Sequence, residues 1–368
     1  MSKRFLLLNG IAIINVVINH SIGWTYVAMF WWVHRYTALS SPDFSQLYSS
    51  TYFLLRTLEQ WIIPSIPAFL MVSGFFAAFS AGKKRALDWN FVVSRVKYLA
   101  IPYLLWSTLM IIFNALQNTR YSLIQLLRMY LTGQAAEAYY FVPLLISLYL
   151  LSPVLIRLVN WNWKILLAST ALLQALTKLA DYPVIIGMNL PLTPFFSFIN
   201  SGWFFIGHIF WFSFGIIIGF RQIEIKENFH KIRWLLLIIS VVFFIAGIFE
   251  WEWLLIQSGQ TWIGPHETLI DNLYSAAILS AFIGFFNIRF PFSKKLEELG
   301  PKSFGVFLAH SLFLIIAARG IYHFFPQLLG LPLLFFLILV VVGLSIPLVL
   351  MKLTINSFLK PIYTYLFG

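Results

Sequence analysis

Cysteine is absent from this chain of 368 residues, which excludes a disulfide framework, a Cys-ligated metal and a thiolate nucleophile. Any covalent chemistry must use another side chain. Charge is scarce as well: Lys, Arg, Asp and Glu make up 10% of the residues against 60% hydrophobic ones, and a mean hydropathy of +0.84 exceeds what a water-soluble domain sustains. Acidic residues are the scarcer sign, 13 against 25 basic, for a formal net charge of +12. In a soluble protein that balance would suggest nucleic acid. In a chain this apolar it first asks which side of a bilayer holds the cations, and no nucleic-acid role is expected. There is no HExxH pair, no P-loop glycine run and no GxSxG elbow, so no metal site and no nucleotide hydrolysis is expected. No internal repeat and no Gly/Ser linker divides the chain, so residues 1–368 read as a single domain.

What the chain has instead is apolar runs long enough to cross hydrocarbon, at roughly 5–27, 60–80, 96–116, 139–159, 164–180, 203–220, 233–250, 269–287, 303–322 and 331–353. The expected fold is all-α, a polytopic membrane protein of about ten transmembrane helices. The first run is too long for a signal peptide and lacks a small-residue cleavage site, so it reads as a retained span. With the N-terminus inside, only Arg35, Arg56, Arg120, Arg128, Lys178 and Arg319 of the 25 cations fall outside, Lys83 and Arg289 being among those inside. The positive-inside rule then expects both termini in the cytoplasm. Pro64 and Pro67 should kink the second span. In the second of three long outer connections (28–59, 117–138 and 181–202), Tyr121 to Leu131 has helical apolar spacing broken by Gln125 and Arg128, which suits a helix lying in the interface.

Four constellations could carry chemistry. His20 lies inside the first span, where a titratable group is expensive to keep, and Asn9 stands just over three helical turns earlier on the same face, with Asn15 and Asn19 nearby. An imidazole there can move protons near neutral pH, or can hydrogen-bond a neighbouring helix as packing. His310 in the ninth span could line the same cavity or bond between helices. His208 is the weaker candidate, set among bulky aromatics with no second polar group at helical spacing. Lys83, Lys84, Arg85, Arg95 and Lys97, around the start of the third span, could hold phosphate or could simply be the cations of a cytoplasmic loop. Between the seventh and eighth spans, Glu250, Trp251, Glu252, Trp253, Trp262, His266 and Glu267 combine flat apolar faces with acceptors, suited to a carbohydrate or to an interfacial aromatic belt.

Several blocks together resemble the acyltransferase-3 family of integral-membrane O-acyltransferases, which decorate bacterial cell-surface carbohydrates. Gly10, Ile11 and Ala12 leading to His20 are similar to that family's opening helix. Ser73 to Arg85, Ser94 to Trp106, Tyr139 to Leu155, Trp203 to Phe220 and Gly300 to Leu314 follow its remaining blocks in order. The resemblance implies a bacterial inner-membrane protein that moves a short acyl group, most simply acetyl, from cytoplasmic acyl-CoA to a hydroxyl of a carbohydrate or glycolipid acceptor at the outer face. It implies His20 as the catalytic base, Lys84, Arg85 and Arg95, with Lys97 and Asn9, at the acyl-CoA, and no permanently bound cofactor. Asn19 and His310 would line the cavity. One departure stands out: where the family has an arginine, this chain has Asn9, and where it has an aspartate, Leu6. A neutral amide can bond a pantetheine amide but cannot neutralise charge. A proton-coupled transporter or flippase, and a non-catalytic glycan- or partner-binding relative, are the rival readings.

Overall fold

The structure is a computed structural model that describes residues 2–188, 190–288 and 291–368; the side chain of Lys83 and the whole of Arg289 lie outside the described residues. Helix accounts for 81% of the chain and no strand occurs among the described residues, which makes the fold all-α. In chain order the helices are α1 (Ser2–Tyr26), α2 (Ser50–Ile62), α3 (Ser65–Ala81), α4 (Trp89–Ala115), α5 (Leu123–Thr132), α6 (Phe141–Ile185), α7 (Thr193–Ile199), α8 (Ile209–Phe220), α9 (Gln222–Lys231), α10 (Arg233–Ser258), α11 (Leu269–Gly284), α12 (Ser293–Leu299), α13 (Ser303–Phe324), α14 (Pro332–Ile355) and α15 (Tyr363–Phe367).

Seven stretches among the described residues are long and apolar enough to cross a bilayer, eight if Phe205–Phe220 and Gln222–Lys231, bent by 105°, count as one span. The sequence expects ten, and apart from that bent pair the difference lies in α6 and α11. The 45 residues of α6 would run roughly 68 Å if straight, over twice the hydrocarbon thickness. The helix breaks at Asn162 (φ −157°, ψ 96°), whose Oδ1 accepts from the Lys164 and Ile165 N–H groups at 3.1 and 3.2 Å, the bonding that starts a new helix. Tyr140, just before α6, and Lys178, near its end, line one cavity, so its two halves fold back on each other. The 16-residue α11 is apolar but shorter than a full span.

Local chemistry explains the other boundaries. α1 runs on through a π-helical turn at Val27–Trp31. The kink expected at Pro64 is a two-residue interruption between α2 and α3 within one span, Ser50–Ala81, while Pro67 sits in the first turn of α3, where a missing N–H costs little. α5 starts on a Ser122/Gln125 capping box and stops at Gly133, whose φ of +77° favours glycine. The connection expected over 28–59 is partly helical, since α2 begins at Ser50 with Ser49 Oγ accepting from the Tyr52 N–H.

Between helices in a bilayer there is little hydrophobic drive, so close backbone approach decides packing. α3 and α8 cross this way: a Cβ on Gly74 would collide with the Phe212 carbonyl, and one on Gly215 with the Met71 carbonyl. The most apolar window of α2–α3 is 72% buried, against 17% for α10. α3 is therefore central, and α10 lies at the periphery. Arg4 ties the start of α1 to the end of α11 by donating to the Phe282, Phe285 and Phe286 carbonyls at 2.9, 2.7 and 3.0 Å, groups a helix end leaves unsatisfied.

Candidate active site

Two cavities meet along α1. The smaller, about 240 Å³, lies near the helix's N-terminal half and is lined by Leu6, Asn9, Ser73, Arg95, Tyr149 and Phe304 among others, with Arg95 as its one charged side chain among the described residues. The larger, about 850 Å³, lies toward the other end and is lined by Asn15, Asn19, His20, Arg128, Glu137, Lys178, Asp181, His208, His266 and Glu267 among others. Phe307 of α13 lines both. Its ring packs 5.3 Å from that of Phe141, which in turn lies 5.8 Å from Phe69, so the partition is aromatic.

His20 stands in the larger cavity with its ring largely covered and one edge open. Its Nδ1 lies 3.6 Å from Glu137 Oε2, and the Glu137 side chain faces the open space, 73% exposed. A carboxylate beside Nδ1 favours the tautomer with the proton on that nitrogen, leaving Nε2 as the base. The His310 ring lies 5.2 Å from that of His20. His310 Nδ1 is 2.6 Å from the Phe307 carbonyl oxygen; a carbonyl only accepts, so Nδ1 carries the proton and Nε2 is left with its lone pair. Buried completely, His310 braces the turn that carries Phe307.

The far wall is an ion-paired network. Glu267, on the α10–α11 connection, lies 3.2 Å from Lys178 Nζ and 3.3 Å from His208 Nε2. Burial pushes the Glu267 carboxyl up, but Lys178 and His208 together hold it well below the usual carboxylate range. Asp181 faces His266 Nδ1 at 3.6 Å. Among the described residues, no three His, Asp or Glu side chains converge as a metal site would require.

The residues singled out from sequence are thus partly gathered and partly dispersed. His20 and Asn19 share the larger cavity, with His310 just behind it; Asn9 and Arg95 share the smaller. Lys84, Arg85 and Lys97 are exposed and line neither, Arg85 resting 5.5 Å over the Phe220 ring with its carbonyl accepting from Asn160. Of the seven residues grouped as one acceptor surface, only His266 and Glu267 reach the cavity. The others have partners of their own. Glu250 accepts from Tyr182 and from Thr268 Oγ1, Glu252 accepts from Tyr52 at 2.9 Å, and Trp251 is buried 4.1 Å from the Arg56 guanidinium. Trp262 packs on Tyr26 and Phe30, and Trp253 is half exposed on the outer side of α10.

A family model described as an acyltransferase domain, that of the acyltransferase-3 family, matches residues 6–352. The chain belongs to the acyltransferase-3 family. No curated protein and no solved structure matches it. The matched segment runs from Leu6, in the wall of the smaller cavity, to Lys352 in α14, and so holds every lining residue named above.

In this acyltransferase-3 chain, five charged or titratable lining residues, Arg128, Glu137, Lys178, Asp181 and His208, are not among the site residues read from sequence. Lys178 reads from sequence only as an outer charge and Glu137 does not stand out, because their partners Glu267 and His20 are distant in sequence. His208 was set aside for want of a polar neighbour on its own helix, and its partner Glu267 arrives from another segment. The one available signal was the acidic Glu137 immediately before the fourth apolar run.

Proposed function

We propose that this acyltransferase carries a short acyl group, most simply acetyl, from cytoplasmic acyl-CoA to a hydroxyl of a carbohydrate-like acceptor at the outer face of a bacterial inner membrane. The carrying observation is the pair of cavities that meet at Phe307, one with Arg95 and Asn9, the other with His20 and Glu137. The CoA phosphates sit toward Arg95, whose guanidinium matches them, and the pantetheine arm passes Asn9 and Phe307 to bring the thioester to His20. Asn9 and His20 are about 16 Å apart along α1, a length an extended arm can cover.

His20 Nε2 takes the proton of the acceptor hydroxyl as its oxygen attacks the thioester carbonyl. Glu137 steadies the imidazolium so formed. When the tetrahedral intermediate collapses, the C–S bond breaks and the same proton passes to the leaving thiolate, so that ester and free CoA result. The nucleotide itself never crosses the membrane. The test is acceptor-dependent release of the CoA thiol from acetyl-CoA by the purified full-length protein: release is expected from the wild type and abolished in folded His20→Ala. Near-normal turnover in that variant overturns the mechanism, and acetyl-CoA binding without any release moves the reading to a non-catalytic relative.

A further inference from the structure

The larger cavity contains more charge than base chemistry needs, and all but one of those charges has a partner. Glu137 faces His20, Glu267 faces Lys178 and His208, and Asp181 faces His266. Arg128 is the exception: it lines the same cavity, is itself exposed, and makes no ion pair or side-chain hydrogen bond with any described residue. A guanidinium left open in a cavity is a ready receptor for a planar or tetrahedral oxyanion.

Its position on α5 says where that anion comes from. At about 100° per residue, Leu123, Ile124, Leu127 and Leu131 fall within an arc of about 100°, and Arg128 lies just past its edge. Those four leucine and isoleucine side chains are 54% to 78% exposed, as suits a helix lying in the membrane surface. Arg128 therefore stands at the seam between lipid and cavity. Around it the lining offers Thr132, Gln134, Asn200 and Ser201, with Asn200 Oδ1 buried and unpartnered. A volume of about 850 Å³ holds a ligand of several rings.

We propose that the larger cavity receives a phosphate-bearing amphiphile, held in the membrane surface by its hydrocarbon and recognised through its phosphate by Arg128. The inference rests on the acyl-transfer reading only in calling this ligand the acceptor. Farnesyl phosphate serves as probe, titrated calorimetrically into the full-length protein in phospholipid-free non-ionic detergent, with Arg128→Gln as the variant and Arg120→Gln as the control. Arg120 is exposed on the same connection and lines neither cavity. The expected result is a Kd raised at least about tenfold in Arg128→Gln and unchanged in Arg120→Gln, the loss anticipated for a charge-assisted bond. Farnesol should bind the wild type at least about tenfold more weakly than farnesyl phosphate. Inorganic phosphate should displace the probe only at far higher concentration. An unchanged Kd in Arg128→Gln, or no binding to the wild type, overturns the site. Farnesol binding as well as its phosphate overturns anion recognition, and inorganic phosphate competing equally overturns the amphiphile. No acyl-CoA enters the assay, so failure of this site and failure of acyl transfer are separate results.

Discussion

Replacing Glu137 by glutamine keeps the size and polarity of the side chain and removes one charge, 3.6 Å from His20 Nδ1. If His20 becomes imidazolium during the reaction, that charge is worth most at the moment of proton transfer. At this separation, Coulomb attraction is about 1 kcal/mol in water and about 4.6 kcal/mol at an effective dielectric of 20. Glu137 faces open space, so in the free protein the lower figure applies; once donor and acceptor fill the cavity and expel water, the interaction moves toward the higher one. These limits correspond to losses of about 7-fold and about 2,000-fold, and a fall of about 10²-fold in kcat is expected. Because the pair strengthens only as the imidazolium forms, KM for acetyl-CoA should change little. Initial rates of thiol release over a range of acetyl-CoA concentrations, with thermal unfolding as a check on folding, measure both. A Glu137→Gln enzyme with unchanged kcat and a raised KM would refute the reasoning, since the carboxylate would then bind substrate and not steady the base.

Three further outcomes follow from the geometry. Arg95→Ala should weaken acetyl-CoA binding by about tenfold or more, while Lys97→Ala, exposed outside both cavities, leaves it unchanged by calorimetry. Gly74→Val should destabilise the protein by about 1–3 kcal/mol, read as a lowered Tm in detergent, because the new side chain meets the Phe212 backbone and not a movable side chain. For Glu267, burial raises the carboxyl but Lys178 and His208 hold it below its ordinary 4.5 when folded. The unfolded chain therefore takes up the proton first as pH falls; the stabilisation is present above 4.5 and is lost below it as the folded carboxyl titrates. Glu267→Gln should lower Tm at neutral pH, with the gap to wild type narrowing in acid; a gap constant with pH would contradict the pairing.

What could be read from the sequence was what hydropathy and local chemistry carry. The all-α class, an interruption at Pro64 and a helix near 121–131 depend on neighbours in the chain, and all three are present. The fold-back at Asn162 marks the boundary expected between the fourth and fifth spans, although the helix is continuous on either side of it. His20 could be found because an imidazole in a hydrocarbon run is anomalous by itself. Its surroundings were hidden for the opposite reason: Glu137, His208 and Lys178 become anomalous only next to partners that packing supplies from other helices. In the stretch from Glu250 to Glu267, too, the pairings come from packing and not from composition. Its carboxylates and tryptophans looked free for a ligand, but Tyr52, Tyr182, Thr268 and Arg56 already hold three of them, Glu250, Trp251 and Glu252.

The account turns on acyl-CoA lying across the aromatic partition, and a structure of the full-length protein with acetyl-CoA bound tests that most directly. The expected density places the nucleotide phosphates beside Arg95, the pantetheine amides near Asn9, and the thioester carbonyl past Phe307 within reach of His20 Nε2. Density for the nucleotide in the larger cavity, with its phosphates on Arg128 or Lys178, would contradict both the donor path and the division of labour between the two cavities.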